Sequence, residues 1–190
     1  MRQIGVIAIG GLGRSLHGVR EMVSPKIQGL PLIERGLSVL AAIGVEERLI
    51  LVSSKYLGKI EVPEGACAIS FDDGDSPRDR LHGLAALGEG DDVVFLLLSD
   101  GVAATPSTLR ALLDALDEGA ELAYLPASLD GRHPEGAPAA IALSGATLQH
   151  ALRGWRHGSP GSLIDWAEAS ELRLAICGAA EDETISRSAQ

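Results

Sequence analysis

At 190 residues the chain has the length of one domain with an ample core. Its 26 acidic against 16 basic side chains leave a formal charge of −10. That balance argues against a general nucleic-acid surface, because basic residues must displace the counterions of a duplex. Aromatic residues make up 3% of the chain, too few for the stacking platforms of single-strand binders.

No stretch approaches the ~20 apolar residues of a membrane helix, and the chain enters a strand at once, so no signal peptide is expected. Cys67 and Cys177 lie far apart with no C-x-x-C spacing, which predicts reduced thiols and a cytoplasmic location. His17, His82, His133, His150 and His157 show no metal-ligand spacing. A small-molecule or protein-binding domain is the expectation.

The first fifty residues say most. The apolar run Ile4-Gly5-Val6-Ile7-Ala8-Ile9 reads as a buried parallel strand, and it ends in Gly10-Gly11-Leu12-Gly13-Arg14-Ser15. Glycines there let backbone amides approach an anion without a Cβ in the way. The carboxyl end of a strand in an open parallel sheet is also where ligands gather. Residues 10–14 are therefore a candidate nucleotide or phosphate site, with Arg14, Arg20 and Lys26 as nearby cations. The same glycines also fit a strand-to-helix turn that holds no ligand. Neither familiar phosphate loop is complete. Leu16 stands where a dinucleotide fingerprint needs its third glycine, and Val19-Arg20 stands where a P-loop needs Lys-Ser/Thr.

Residues 31–44 carry the apolar spacing of an amphipathic helix closed by Gly44. A second strand is predicted at 48–53, ending in Ser53-Ser54 rather than in an acid, and a third around 67–69. The acidic loop Phe71-Asp72-Asp73-Gly74-Asp75 follows. Ser76-Pro77-Arg78-Asp79 then opens a helix with a serine cap, a proline at the first position and an acid three residues on. Residues 93–98 form the best central strand. Thr105-Pro106 repeats the cap-and-proline signal for a helix reaching Gly119. A strand at 122–125, the turn Asp130-Gly131 and a returning strand at 139–143 follow. Ser144 caps a helix to Leu152; a further helix is expected at 162–169 and a last strand at 172–176. Residues 1–180 read as a single domain, and 181–190 as a polar tail. The alternation predicts an α/β fold, a three-layer α/β/α sandwich around a mostly parallel mixed sheet.

The order of motifs resembles the nucleotidyltransferases of the glycosyltransferase-A-like (nucleotide-diphospho-sugar transferase-like) fold, including methylerythritol-phosphate cytidylyltransferases and molybdenum cofactor guanylyltransferases. Residues 8–14 resemble the family's opening G-G-x-G signature, and Gly29-Leu30-Pro31-Leu32-Ile33-Glu34-Arg35 is similar to its G-x-P-L-[IL]-E-[RH] segment. Residues 76–87 (SPRDRLHGLAAL) resemble its R-x-x-S-V-x-x-G-L helix, and 93–107 (VVFLLLSDGVAATPS) its strand ending in H-D-A-A-R-P-L-V-[ST]-P.

The resemblance implies Mg²⁺-dependent transfer of a nucleotidyl group, cytidylyl first, from a nucleoside triphosphate to a small phosphorylated or polyol acceptor. It implies nucleotide contacts at Ala8, Ile9, Gly10, Gly11, Gly13, Arg14, Arg20 and Ser76, charge stabilisation by Arg14 and Lys26, and Mg²⁺ on Asp100. It also marks departures. Arg14 follows Gly13 directly, Pro25-Lys26 falls several residues late, and Ser99-Asp100-Gly101-Val102 lacks the histidine and arginine of the family segment. The late N-I-K-[IV]-T motif stands as Asp182-Glu183-Thr184-Ile185-Ser186, with threonine for lysine. The alternative is a catalytically inactive relative that keeps the fold as a nucleotide-binding or protein-interaction module. The short segment between the strands at 122–125 and 139–143 leaves no long arm, so an arm-exchanged dimer is not expected.

Overall fold

A computed structural model describes residues 1–9, 26–27, 30–58, 60–84, 86–98, 104–126, 138–155 and 163–177, without the side chains of residues 26, 27, 30–32 and 77. In chain order its elements are β1 (Gln3–Ala8), β2 (Lys26–Ile27), β3 (Leu30–Pro31), α1 (Leu32–Ala42), β4 (Glu47–Ser53), α2 (Ser54–Leu57) and β5 (Cys67–Phe71). There follow α3 (Pro77–His82), β6 (Val93–Leu97), α4 (Pro106–Asp117), β7 (Leu122–Pro126), β8 (Pro138–Ser144), α5 (Gly145–Gly154), α6 (Leu163–Ala169) and β9 (Leu174–Ile176). No described helix is long and apolar enough to cross a membrane.

Seven strands form one mixed sheet in the order β5-β4-β1-β6-β8-β7-β9. β1 pairs in parallel with β4 and β6, and β4 in parallel with β5. β8 runs antiparallel to both β6 and β7, so β7 points the same way as β1, and β9 lies parallel to β7. The strands predicted at 4–9, 48–53, 93–98 and 122–125 all run in one direction, as a mostly parallel sheet requires. The returning strand is the one that inserts against the grain.

Strand alternation divides the core between the two faces. Ile4, Val6 and Ala8 of β1 join Val94, Leu96, Leu148, Leu152 and Leu163 under α3, α5 and α6. Ile7 and Ile9 join Phe95, Leu37, Leu40, Leu109 and Leu112 under α1 and α4. The result is the expected three-layer sandwich. Gly5 serves this packing directly: a Cβ there would lie 2.6 Å from Leu40 Cδ1, so its absence lets α1 close on the sheet.

Helix ends follow the sequence signals closely. Ser76 accepts from the Asp79 amide, Ser144 from the Thr147 amide, and Thr105 and Thr108 form a reciprocal capping box at the start of α4. Some boundaries differ from the reading. The helix expected from Pro31 begins at Leu32, because Pro31 pairs with Lys26 in the small β2–β3 hairpin. Phe71, placed in the acidic loop, is the last residue of β5 and is buried. The final strand starts at Leu174 rather than 172. The expected turn at Asp130-Gly131 and the 181–190 tail lie outside the described residues.

Candidate active site

The chain passes from β1 through α1 to β4 on one side, then returns from β5 to β6 on the other side of β1. The strand order therefore reverses between β1 and β6, and in such sheets ligands bind beyond the carboxyl ends at the reversal. Here Ile7 stands opposite Leu97, and Ile9 donates its amide to Leu51 O at 2.8 Å, extending the β1–β4 ladder. Ala8 and Ile9 are 1% and 0% exposed, so their side chains are core and only their backbone can meet a ligand. The described parts of β1 and β6 thus end side by side. In the sequence Ile9 is followed by Gly10, and Leu98 by Ser99-Asp100.

The site residues divide accordingly. Gly10, Gly11, Gly13, Arg14, Arg20 and Asp100 lie outside the described residues. Lys26 enters only through its backbone, which pairs with Pro31. Ser76 is the cap of α3, where its hydroxyl accepts from the Asp79 amide at 3.3 Å and also donates to the Asp79 carboxylate.

The neighbouring carboxyl ends, those of β4 and β5, carry a polar cluster that the sequence reading did not assemble. Register places Ser53 opposite Phe71, so the residues just beyond the two strands meet. The Ser53 hydroxyl, 3% exposed, donates to one oxygen of Asp73. Lys55 Nζ approaches the other carboxylate oxygen at 2.7 Å and sits 4.8 Å from the Tyr56 ring centre. Ser54 donates to Asp72 at 3.2 Å. The Lys55 hydrogen bond, then that of Ser53, holds the Asp73 carboxyl below its ordinary value. The same Asp73 contact raises Lys55 above its own. In the sequence alone, Ser53-Ser54 shows only the lack of an acid at the end of its strand. The acid comes from the next strand instead, a pairing visible only once register is known.

Arg80 orders the rest of the acidic turn. It is 8% exposed, stacks 4.6 Å above the Phe71 ring and donates from Nε to Asp75 O at 3.1 Å. Asp75 in turn accepts from the Asp72 amide at 2.9 Å. Arg78 ties α3 to the end of α5, donating to Leu152 O and Trp155 O at 2.7 and 2.9 Å. The arginines of this helix thus fix the acidic turn and the end of α5 against it. Among the described residues no group of three or more His, Cys, Asp or Glu side chains could hold a metal ion.

Comparison with known proteins agrees with this geometry. The sequence model of the MobA-like NTP transferase domain matches residues 5–168. No curated protein sequence matches the chain. Among solved structures, Rv0371c of Mycobacterium tuberculosis H37Rv, in complex with manganese, is similar with a TM-score of 0.65 and 16% identity, over 93% of this chain and 88% of that one. A 4-diphosphocytidyl-2C-methyl-D-erythritol synthase is similar at 0.66 and 12%, over 95% and 90%. A CMP:2-keto-3-deoxy-manno-octonic acid synthetase complexed with CTP is similar at 0.62 and 16%, over 94% and 90%. At such identities these structures share the fold with this chain.

Proposed function

The chain belongs to the MobA-like NTP transferase domain family, as a divergent nucleotidyltransferase, and on that footing we propose that it transfers a cytidylyl group from CTP to a small phosphorylated or polyol acceptor. The observation that supports this reading is that β1 and β6 end side by side where the strand order reverses. The side-by-side ends of these strands feed a glycine-rich segment from one side and an aspartate from the other.

Backbone amides at Gly10, Gly11 and Gly13 cradle the triphosphate, where the absence of Cβ permits close approach. Backbone at Ala8 and Ile9 borders the nucleoside, with Arg20 and Ser76 as further contacts. An oxygen of the acceptor attacks the α-phosphorus. The bond to the bridging oxygen of the β-phosphate breaks, and pyrophosphate leaves with that oxygen. Arg14 and Lys26 balance the charge that builds on the phosphate oxygens, which is most of what a protein contributes to such a transfer.

Asp100 suits Mg²⁺, which takes one or two carboxylates and completes its shell with phosphate oxygens and water. It follows Leu98 by two residues in the sequence, just after the strand that ends beside β1, which supports that role. Bound there, the ion supplies neutralising charge to the polyphosphate.

A thermal-shift series with each nucleoside triphosphate and Mg²⁺ tests the reading. A ligand at a hundred times its Kd stabilises the native state by about 2.7 kcal/mol. The largest shift is expected with CTP, and it should shrink in Arg14→Ala and Lys26→Ala while their ligand-free melting temperatures stay put. Equal shifts in both variants would remove these two residues from the site. Binding without pyrophosphate release would mark a non-catalytic module.

A further inference from the structure

A cavity of about 350 Å³ opens at the amino ends of β1 and β4, away from the carboxyl ends where the strand order reverses. That volume falls in the range of small-molecule pockets. The start of β1, the turn that closes α1 and the start of β4 line it. Gly44 in the turn has φ +88°, and a Cβ there would meet nothing within 4 Å, so this wall faces open space. β1 is six residues long, which sets the cavity roughly 20 Å from the carboxyl edge.

The polar groups of the wall are unbalanced. Arg2 is committed, since its guanidinium meets Glu47 at 3.2 Å, Asp92 at 3.3 Å and the carbonyl of Leu87. Met1 also borders the cavity but is 78% exposed, which leaves its ammonium to water. Glu47 gives one oxygen, Oε2, to the Arg2 pair. Glu46 is exposed and makes no ion pair among the described residues. Gln3 Oε1 is buried without a hydrogen-bond partner, which costs stability until a donor reaches it. Gln3 lies on the same face of β1 as Ile7, toward the end of α1, where Ile43 adds apolar surface. The torsion that orients a glutamine amide is broad, and no bond at Oε1 resists its turning toward the cavity. What the wall leaves uncommitted is acceptor oxygen and aliphatic carbon.

We propose that this cavity binds a linear aliphatic polyamine, its methylenes against Ile43 and its ammonium groups on Gln3 Oε1, Glu46 and the other oxygen of Glu47. Such a cation carries donors only, the complement of a wall whose unused polar groups accept. The turn before β6 adds negative potential, because Asp92 accepts from the Arg2 amide at 2.9 Å and Glu89 and Asp91 stand in the same turn. The formal charge of −10 likewise favours a multiply charged ligand. A bare divalent ion fits less well, since no described group of three or more His, Cys, Asp or Glu could hold a metal. A ligand here leaves the carboxyl ends of the strands clear. The inference is independent of the reaction proposed above.

Isothermal titration calorimetry of the full chain with spermidine, in the absence of nucleotide, tests the site. Saturable binding at one site per chain is expected, and ammonium chloride at matched ionic strength should not reproduce it. Glu46→Gln and Gln3→Met should each weaken spermidine binding by about tenfold or more, the worth of one hydrogen bond to a charged group. Glu118→Gln removes the same charge at the end of α4 and should bind as wild type does. Circular dichroism checks the fold of each variant, and Glu46 is exposed, so its replacement disturbs no packing. A wild-type protein that shows no saturable binding overturns the inference. So does binding that ammonium chloride reproduces, that Glu46→Gln leaves intact, or that Glu118→Gln weakens equally, since each takes the cation away from this cavity.

Discussion

Asp73 sits between the Ser53 hydroxyl and the Lys55 ammonium, and its ionisation is linked to stability in a definite direction. Its carboxyl is held below the ordinary value of 3.8, so its contribution is present above that value and fades as pH falls through the lowered one. Lys55 is raised above 10.5, so its contribution is present below that value and fades as pH rises through the raised one. Both groups are solvent-exposed, which keeps the effect modest. Asp73→Asn should therefore be less stable than wild type between these two values, and denaturant midpoints should converge as the pH is taken below the carboxylate range. A gap that persists unchanged in acid would show that Asp73 acts through something other than its charge.

Gly145 makes a sharper case at the same scale. A Cβ there would lie 2.7 Å from Glu89 N and from Gly88 C, backbone atoms that cannot rotate aside. Gly145→Ala is expected to lose about 1–3 kcal/mol, the usual cost of overpacking, read from urea unfolding. A neutral result would mean that the 88–90 turn yields more readily than its close contact with α5 suggests.

At the level of elements, local signals were legible where one or two residues decide the outcome. The cap-and-proline pairs Ser76-Pro77 and Thr105-Pro106 start α3 and α4 where expected, since proline's fixed φ suits the first turn and the hydroxyl serves an orphan amide. In the capping box Thr108 Oγ1 accepts from the Thr105 amide at 2.8 Å, and Thr105 Oγ1 accepts from the Thr108 amide at 3.2 Å. Thr105→Ala should cost about 1 kcal/mol, or roughly 2–4 °C in Tm for a chain of this size, with the far-UV spectrum unchanged. An unchanged melting temperature would mean that tertiary packing of Leu109 and Leu112 alone sets the helix start. Two short elements escaped the reading. α2 buries none of its residues, and the β2–β3 hairpin spans two residues per strand, so neither leaves a periodic apolar signature.

Across the whole molecule, the direction of the strands was legible because continuous apolar runs such as 93–98 need cover on both faces, which parallel sheets with flanking helices provide. Strand order and register were not legible, and the Ser53–Asp73–Lys55 cluster depends on both. Its parts lie about twenty residues apart in sequence and meet only because β4 and β5 are neighbours. The glycine segment and Asp100 lie outside the described residues; what the structure adds is that the strands preceding them in sequence, β1 and β6, end together at the reversal of strand order. The family match over residues 5–168 spans both.

The most direct test of this account is pyrophosphate release by the purified chain with each nucleoside triphosphate, a panel of phosphorylated and polyol acceptors, and Mg²⁺, run beside Asp100→Asn. Wild type should release pyrophosphate with CTP and an acceptor. Asp100→Asn should lose at least about 100-fold of that rate, in line with removal of a group that stabilises transition-state charge, while keeping its melting temperature. Release that is indifferent to Asp100→Asn, or no release by wild type with any nucleotide and acceptor, would contradict the account.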